Sequence, residues 1–344
     1  MSDGMWSKAM PGRPVVAVAG ATGVVGREML KVLEQRSFPA SQVRALASAR
    51  SAGRRLPFRG SEIVVEEMTP ASFEGVDIAL FSAGASVSRQ FRDAVTSAGA
   101  VMIDNSSAFR MDDGVPLVVP EVNPDDVHDH SGVIANPNCS TIQMVVALAP
   151  LSKLAPIERV VVATYQAASG AGQAAMDELY EQTGQFLRGE ELSVRSFVHR
   201  ISFNCIPQID VFLEDGSTKE EWKMVVETQK IMHAPDLRVA ATCVRVPVLR
   251  CHSEAVAVEF GAAISMDDVA RVLAMSPGIT VMDDPAQGLY PMPALLEGSD
   301  DVHVGRLRVD PSVPYGLQMW VVADQLRKGA ALNAVQIAES LLPR

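Results

Sequence analysis

Three short stretches combine residue types and spacings that could do chemistry. In "NPNCST", residues 136–141, Cys139 stands between Asn138 and Ser140 where the apolar run "IQMVVALAPL" begins. Pro137 breaks the chain just before it, which puts Cys139 in the first turn of a helix. Amide groups and the positive dipole end at such a start stabilise a thiolate, and the same amides can receive the oxyanion of an attacked carbonyl. The competing reading is a small buried apolar filler, the common fate of a free cysteine. "RCHSE", residues 250–254, offers His252, whose imidazole can carry protons near neutrality or serve only as a hydrogen-bonded structural group. The third stretch runs Gly20-Ala-Thr-Gly23-Val-Val-Gly26. Glycines so spaced let a backbone approach a pyrophosphate, or simply make a tight turn.

The elements that must position these groups follow from the surrounding pattern. "PVVAVAG", 14–20, reads as a β-branched apolar strand, and "REMLKVLEQ", 27–35, as a helix with Met29, Leu30 and Leu33 on one face. The glycines therefore sit in a strand–turn–helix, the context a dinucleotide site requires. Further strands fit "QVRALAS" (42–48), "VDIALFSAG" (76–84), "AVMIDNSS" (100–107) and "GVIANPN" (132–138). Strands alternating with helical segments predict an α/β fold with a Rossmann-type, doubly wound parallel sheet. An NAD-specific site usually has an acidic residue at the end of the second strand; here the strand runs into "SARSAGRR". Ser48, Arg50 and Ser51 offer donors suited to a 2′-phosphate, which points to NADP, the other reading being a solvated basic turn.

At 344 residues the chain exceeds a usual single core, so two domains are expected. With 48% hydrophobic and 21% charged residues it has a globular composition, and no apolar run is long enough to span a bilayer. "MSDGMWSKAMPGR" at the start lacks the continuous apolar core of a secretory signal, so a cytoplasmic location is expected. The four cysteines, Cys139, Cys205, Cys243 and Cys251, have neither C-x-x-C spacing nor disulfide-framework density, so reduced thiols are expected and no metal site. The net charge of −11 repels nucleic acid, and an anionic substrate needs a local basic pocket. "PGITVMDDPAQGLYPMP", 277–293, is rich in turn residues and reads as a surface loop.

Taken in order, "GATGVVG", "IDNSSAFRMDD", "VPEVN", "NPNCST", "QAASGAG", "GSTKEEWKM", "VRVPVLRCHSE" and "DQLRKGAALNAVQIAE" span about residues 15 to 342. The chain so read resembles the aspartate-β-semialdehyde dehydrogenase family. The resemblance implies NADPH-dependent reduction of β-aspartyl phosphate to aspartate semialdehyde through a cysteine thioester, on the route to lysine (by way of diaminopimelate), threonine and methionine. It makes Cys139 the nucleophile, His252 the acid–base group and Gln166 the amide that orients the acyl group. It gives Arg245 to the substrate carboxylate, Arg110 and Lys223 to the phosphate, Asn138 to the nucleophile's side and Glu220 to the ammonium. Gly20, Thr22, Gly23, Val24, Val25, Gly26, Ser48, Arg50, Ser51, Ser169, Gly170 and Gln325 would then contact the cofactor. Gln325 stands where many members have asparagine, which keeps the amide on a longer stem.

Local pattern supports part of this. Thr218 with Glu221 three positions on reads as a capping box, which makes Glu220 and Lys223 neighbours on one helix face. Arg245 and His252, seven apart, would face opposite ways on one unbroken strand, and Pro247 between them can mark a bend. The expected division is residues 1–137 with 323–344 as the NADP-binding domain, and 138–322 as an α+β domain with a mostly antiparallel sheet. The resemblance also implies a homodimer built from the latter. Two readings compete: an N-acetyl-γ-glutamyl-phosphate reductase, which Glu220 disfavours because an acetylated amine needs no anion, and a non-catalytic NADP-binding sensor.

Overall fold

The computed structural model describes residues 10–343, which divide into two compact units. The first comprises the described residues up to Asn138 together with those from Ala330 onward, and the second is Cys139–Gly329.

In the first unit the chain runs β1 (Val15–Ala19), α1 (Val24–Gln35), β2 (Gln42–Ala47), β3 (Arg55–Phe58), β4 (Ser61–Glu67), β5 (Ile78–Phe81), α2 (Ala85–Ser97), β6 (Val101–Asp104) and β7 (Val133–Ala135). A closing helix, Leu332–Ser340, returns to it from the chain's far end. The sheet order is β3-β4-β2-β1-β5-β6-β7, parallel throughout except for β3. The inner strands are continuous apolar runs such as "VVAVA" because parallel strands are covered on both faces. Met29, Leu30 and Leu33 of α1 share one core cluster with Val335, Ile337 and Ala338 of the closing helix. The β3–β4 pair was not expected from the sequence. An edge strand tolerates Pro57, and Arg59 and Gly60, both at positive φ, turn the chain back.

The second unit holds α3 (Cys139–Leu151), β8 (Ile157–Gln166), α4 (Gln173–Arg188), α5 (Lys219–Ile231), β9 (Arg238–Arg245), β10 (His252–Phe260), α6 (Met266–Ala274), β11 (Ile279–Val281), α7 (Pro293–Leu296), β12 (Val302–Asp310) and β13 (Gly316–Ala323). Its sheet, ordered β11-β12-β13-β10-β8-β9, is antiparallel at its three inner pairings and parallel at both edges. Helix α3 is buried nearly all round, as an apolar helix at a core must be, and packs on the sheet and against α5 and α6.

Two details differ from expectation. The stretch 277–293 is not all loop, because Ile279–Val281 pairs in parallel with Val302–Val304 as the sheet's edge. The chain returns to the first unit at Ala330 rather than 323. Asp324 is tied into the second unit by accepting from Gly298 N at 2.7 Å and pairing with Arg250 Nε at 2.7 Å. Gln325 follows it by accepting from Cys251 N at 2.8 Å. At the other crossing the boundary falls between Asn138 and Cys139, so Asn138 stays with the first unit.

Candidate active site

The glycine turn of the first unit is built on backbone contacts. At the end of β1, Gly20 has φ +84°, and a Cβ there would lie 2.3 Å from Ser82 O. A Cβ on Gly26 would lie 2.2 Å from Gly20 O, so the start of α1 can pack against the turn only with glycine there. Gly23 caps α1 without a side chain, and no acidic residue occupies the helix's first turn. The amides of Val24, Val25 and Gly26 therefore lack the usual side-chain cap, and Thr22 precedes them in the same turn. Ser48 and Arg50 are exposed and Ser51 half-buried just past the end of β2, beside β1 in the sheet.

Also in this unit, Arg110 is buried, with Nε donating to Asn136 O at 3.0 Å and Nη2 to Asn105 O at 2.9 Å. Asn138 is buried at the unit's edge. Asp104, behind this segment, accepts from Ser88 and Ser106; burial raises its pKa while those two hydroxyls lower it.

In the second unit, register brings the remaining residues onto one face of the sheet. Arg245 pairs with Gln166 in the parallel β8–β9 ladder, while Glu254 opposes Thr164 across the antiparallel β8–β10 ladder. Because side chains alternate, Thr164, Gln166, Cys243, Arg245, His252 and Glu254 share a face. This resolves the difficulty over Arg245 and His252. They lie not on one bent strand but on two strands that flank β8, with 246–251 crossing between them.

The two meet at a single alanine. His252 Nδ1 accepts from Ala167 N at 3.0 Å, and Arg245 Nη1 donates to Ala167 O at 2.7 Å. With Nδ1 accepting, the neutral ring carries its proton on Nε2. That nitrogen is buried with no hydrogen-bond partner among the described residues. It faces Gly170, where a Cβ would come within 3.1 Å of Nε2 and 2.8 Å of Arg245 Nη1. Complete burial, with the Arg245 charge beside it, holds His252 well below the usual histidine range. Burial lowers the Arg245 pKa too, against the opposing pull of Glu220 and Cys139.

Cys139 is partly exposed at the first position of α3. Gly329 is packed against it so closely that a Cβ there would lie 2.7 Å from Cys139 Cβ. That glycine belongs to a π-helical turn, Arg327–Ala331, a distortion frequent at functional sites. Cys243 and Cys251 are different: burial drives both thiols up, out of reach of ionisation near neutrality.

The capping box forms as expected, with Thr218 N donating to Glu221 Oε2 at 2.6 Å and Thr218 Oγ1 accepting from Glu221 N at 3.3 Å. Glu220 and Lys223 then face the site together, Lys223 Nζ lying 3.1 Å from Glu220 Oε2 and 2.7 Å from Asp210 Oδ2. Burial works against the Lys223 charge, but Glu220 and Asp210 outweigh it and raise its pKa. Gln166 Nε2 donates to Glu220 Oε1 at 3.3 Å. Gln325 spends its amide inside the protein: Oε1 accepts from Cys251 N and Nε2 donates to Ser169 Oγ. It fixes Ser169 and the approach to His252 at once.

The structure thus gathers Cys139, Gln166, Ser169, Gly170, Glu220, Lys223, Arg245, His252 and Gln325 within the second unit, and holds Arg110, Asn138, the glycine turn and Ser48–Ser51 within the first. Three contributors had escaped the sequence reading. Ala167 acts through its backbone and carries no side-chain signal. Gln143, whose Nε2 donates to the main-chain oxygen of His252 at 3.4 Å, looked like part of an apolar helix. Gly329 lay in the "DQLRKG" string, and its glycine was the available hint.

Residues 15–130 match the semialdehyde dehydrogenase NAD-binding domain, and 148–328 the semialdehyde dehydrogenase dimerisation domain. The aspartate-semialdehyde dehydrogenase of Bacillus subtilis is 54% identical over 334 residues, covering 95% of this chain and 96% of that protein. Among solved structures, aspartate semialdehyde dehydrogenase II of Vibrio cholerae, complexed with ASA, superposes with a TM-score of 0.93 at 48% identity, covering 96% of this chain and 98% of that one. The Candida albicans enzyme, solved with NADP, gives 0.74 at 27% identity, covering 96% and 98%. Near-complete coverage at about half identity, over both domains, places the chain in the aspartate-semialdehyde dehydrogenase family.

Proposed function

We propose that the protein reduces β-aspartyl phosphate reversibly to aspartate β-semialdehyde with NADPH, releasing phosphate, through a thioester on Cys139. The observation that carries this reading is the convergence of His252 and Arg245 on Ala167, on the sheet face that also bears Gln166. The start of α3 and the nearby Arg245 charge favour the Cys139 thiolate. Its sulfur attacks the acyl carbon, the C–O bond to phosphate breaks, and a thioester remains. NADPH supplies a hydride. The oxyanion so formed faces a hydrogen-bond donor if His252 presents Nε2–H, and collapse with C–S cleavage frees the aldehyde and restores the thiolate.

Gln166, held by Glu220, orients the acyl group, and Arg245 pairs with the carboxylate. Glu220 meets the ammonium, Arg110 and Lys223 the phosphate, and Asn138 supports the nucleophile; these roles rest on the motifs the residues occupy. Ser169, Gly170 and Gln325 serve the nicotinamide end, Gln325 by fixing Ser169. NADP is favoured over NAD by Arg50, with Ser48 and Ser51, because β2 itself runs into no acidic residue that would bind ribose hydroxyls. The sheet face opposite the site, with Val161 and Tyr165 exposed and Trp320 packed at a tilt against Tyr165, ring centroids 5.3 Å apart, suits pairing with a second copy. Among the described residues no helix is long and apolar enough to cross a membrane. Four free cysteines suit the reducing cytoplasm.

The test is phosphate-dependent reduction of NADP with aspartate semialdehyde, run beside N-acetylglutamate semialdehyde and repeated with NAD. Turnover is expected with the first substrate and NADP. Equal rates on both aldehydes would remove the substrate assignment, and equal kcat/KM with both cofactors the NADP assignment.

A further inference from the structure

Three asparagines of the first unit form a chain of side-chain amides that the proposed reaction does not use. Asn333, in the first turn of the closing helix, gives Nδ2 to Val118 O at 2.9 Å and to Asn136 Oδ1 at 2.7 Å. Asn136 Nδ2 donates in turn to Asn105 Oδ1 at 3.0 Å, and Asn105 Nδ2 to Phe81 O at 3.0 Å. Main-chain carbonyls, which can only accept, stand at both ends, so all three amides must point one way. Asn333 and Asn136 are buried and Asn105 is half-buried, so removing any link takes a hydrogen bond from a neighbour that water does not readily reach.

The chain runs across the carboxyl ends of β5, β6 and β7, neighbours in the sheet, where open α/β sheets hold their ligands. Phe81 ends β5, while Asn105 and Asn136 directly follow β6 and β7. Both asparagines also turn a main-chain oxygen to Arg110: Nε donates to Asn136 O at 3.0 Å and Nη2 to Asn105 O at 2.9 Å. Nε and Nη2 form one edge of a planar guanidinium, so two fixed carbonyls set its plane and heading. Asn136 N, donating to Asp104 O at 2.8 Å, ties the two strand ends through the main chain, and the Asn136–Asn105 amide bond ties them through side chains. Asn333 keeps that second tie in orientation from 197 residues away. The segment between Asn105 and Arg110 has support of its own. Ser106 Oγ donates to Asp104 Oδ2 and accepts from Ala108 N, and Arg89 Nη2 donates to Ala108 O. Loss of the amide chain should therefore redirect Arg110 and leave the segment folded.

We propose that Asn333 is a positioning residue for phosphate: acting through Asn136 and Asn105, it aligns the two carbonyls that aim the Arg110 guanidinium. The alignment stands on the hydrogen bonds alone, whereas its effect on phosphate rests on the phosphate-binding reading of Arg110 given above.

Solvent exchange of the Arg110 Nε–H, followed by heteronuclear NMR of the full-length protein without substrate and assigned by its loss in Arg110→Lys, tests the alignment. Asn333→Leu should speed this exchange about tenfold or more; an unchanged rate overturns the proposal. Kinetics with aspartate semialdehyde, NADP and inorganic phosphate read the aim. Asn333→Leu should raise KM for phosphate about tenfold, as for a displaced binding group, with KM for NADP and for the aldehyde unchanged. Asn136→Leu should do the same, and the double variant should add nothing further, because both residues act along one chain. Asn105→Ala, at the half-buried end, should reproduce the faster exchange and the phosphate-selective loss, and it serves in both measurements if Asn333→Leu does not fold. Arg110→Lys should itself raise KM for phosphate. A normal KM for phosphate in Asn333→Leu beside a raised one in Arg110→Lys, a rise shared by all three substrates, or losses that add in the double variant overturns the positioning role. A normal value in Arg110→Lys as well would remove Arg110 from the phosphate site, and with it the effect on phosphate, and the exchange rates would then decide the alignment alone.

Discussion

At the scale of single residues, the proposed mechanism divides its labour between a thiolate that depends on a helix start and an imidazole whose proton is placed by a backbone amide. Because Nδ1 of His252 is taken by Ala167 N–H, the resting ring presents a donor at Nε2, and it can take the thiol proton there only by giving up that bond. Ionisation of Cys139 therefore falls mainly to its position on α3 and to Arg245. Two variants should fail differently. Intact-mass measurement after mixing with β-aspartyl phosphate, without NADPH, should find no acyl adduct on Cys139→Ala and a slowly formed adduct on His252→Asn. An adduct on the alanine variant would place the nucleophile elsewhere. Cys251, the nearest alternative in sequence, is buried with its thiol driven up, so it is a poor substitute. Full wild-type acylation and reduction in His252→Asn would remove the histidine from the chemistry.

At the scale of elements, the turn from β1 to α1 depends on three glycines for three reasons: left-handed φ at Gly20, a cap without a side chain at Gly23, and clearance at Gly26. Gly26→Ala should therefore loosen the turn, since its Cβ would sit 2.2 Å from Gly20 O and no rotamer change can relieve a backbone clash. We expect a loss of about 1–3 kcal/mol in stability and weaker NADPH binding, measured by thermal unfolding and fluorescence titration; wild-type values of both would refute this account. These local devices were legible in the sequence. The strand–turn–helix, the Pro137 break before Cys139 and the Thr218–Glu221 cap all depend on residues within a few positions of one another. The facing of Arg245 and His252 was not legible, because it depends on β8, about 80 residues away, lying between their strands.

At the scale of the whole molecule, the uncovered face of the second sheet should hold two copies together. Val161→Arg, placed at an exposed position of β8 that faces away from the site, should shift the sedimentation mass from dimer to monomer without changing the fold read by circular dichroism. A dimer that persists at micromolar concentration would locate the contact elsewhere. The dimerisation-domain match covers 148–328, which includes this face. The chain leaves the first unit at Cys139 and returns just after Gly329, and those two residues touch. The second unit is thus an insertion whose entry and exit meet at Cys139, the proposed nucleophile. Such a module can be exchanged between relatives through a single seam. On the proposed reading, a recombinant that received it would inherit Cys139, His252, Arg245 and the exposed sheet face as a set, while the glycine turn and Ser48–Ser51 stayed with the host. Substrate choice and cofactor choice can therefore evolve on separate schedules in a chain built this way.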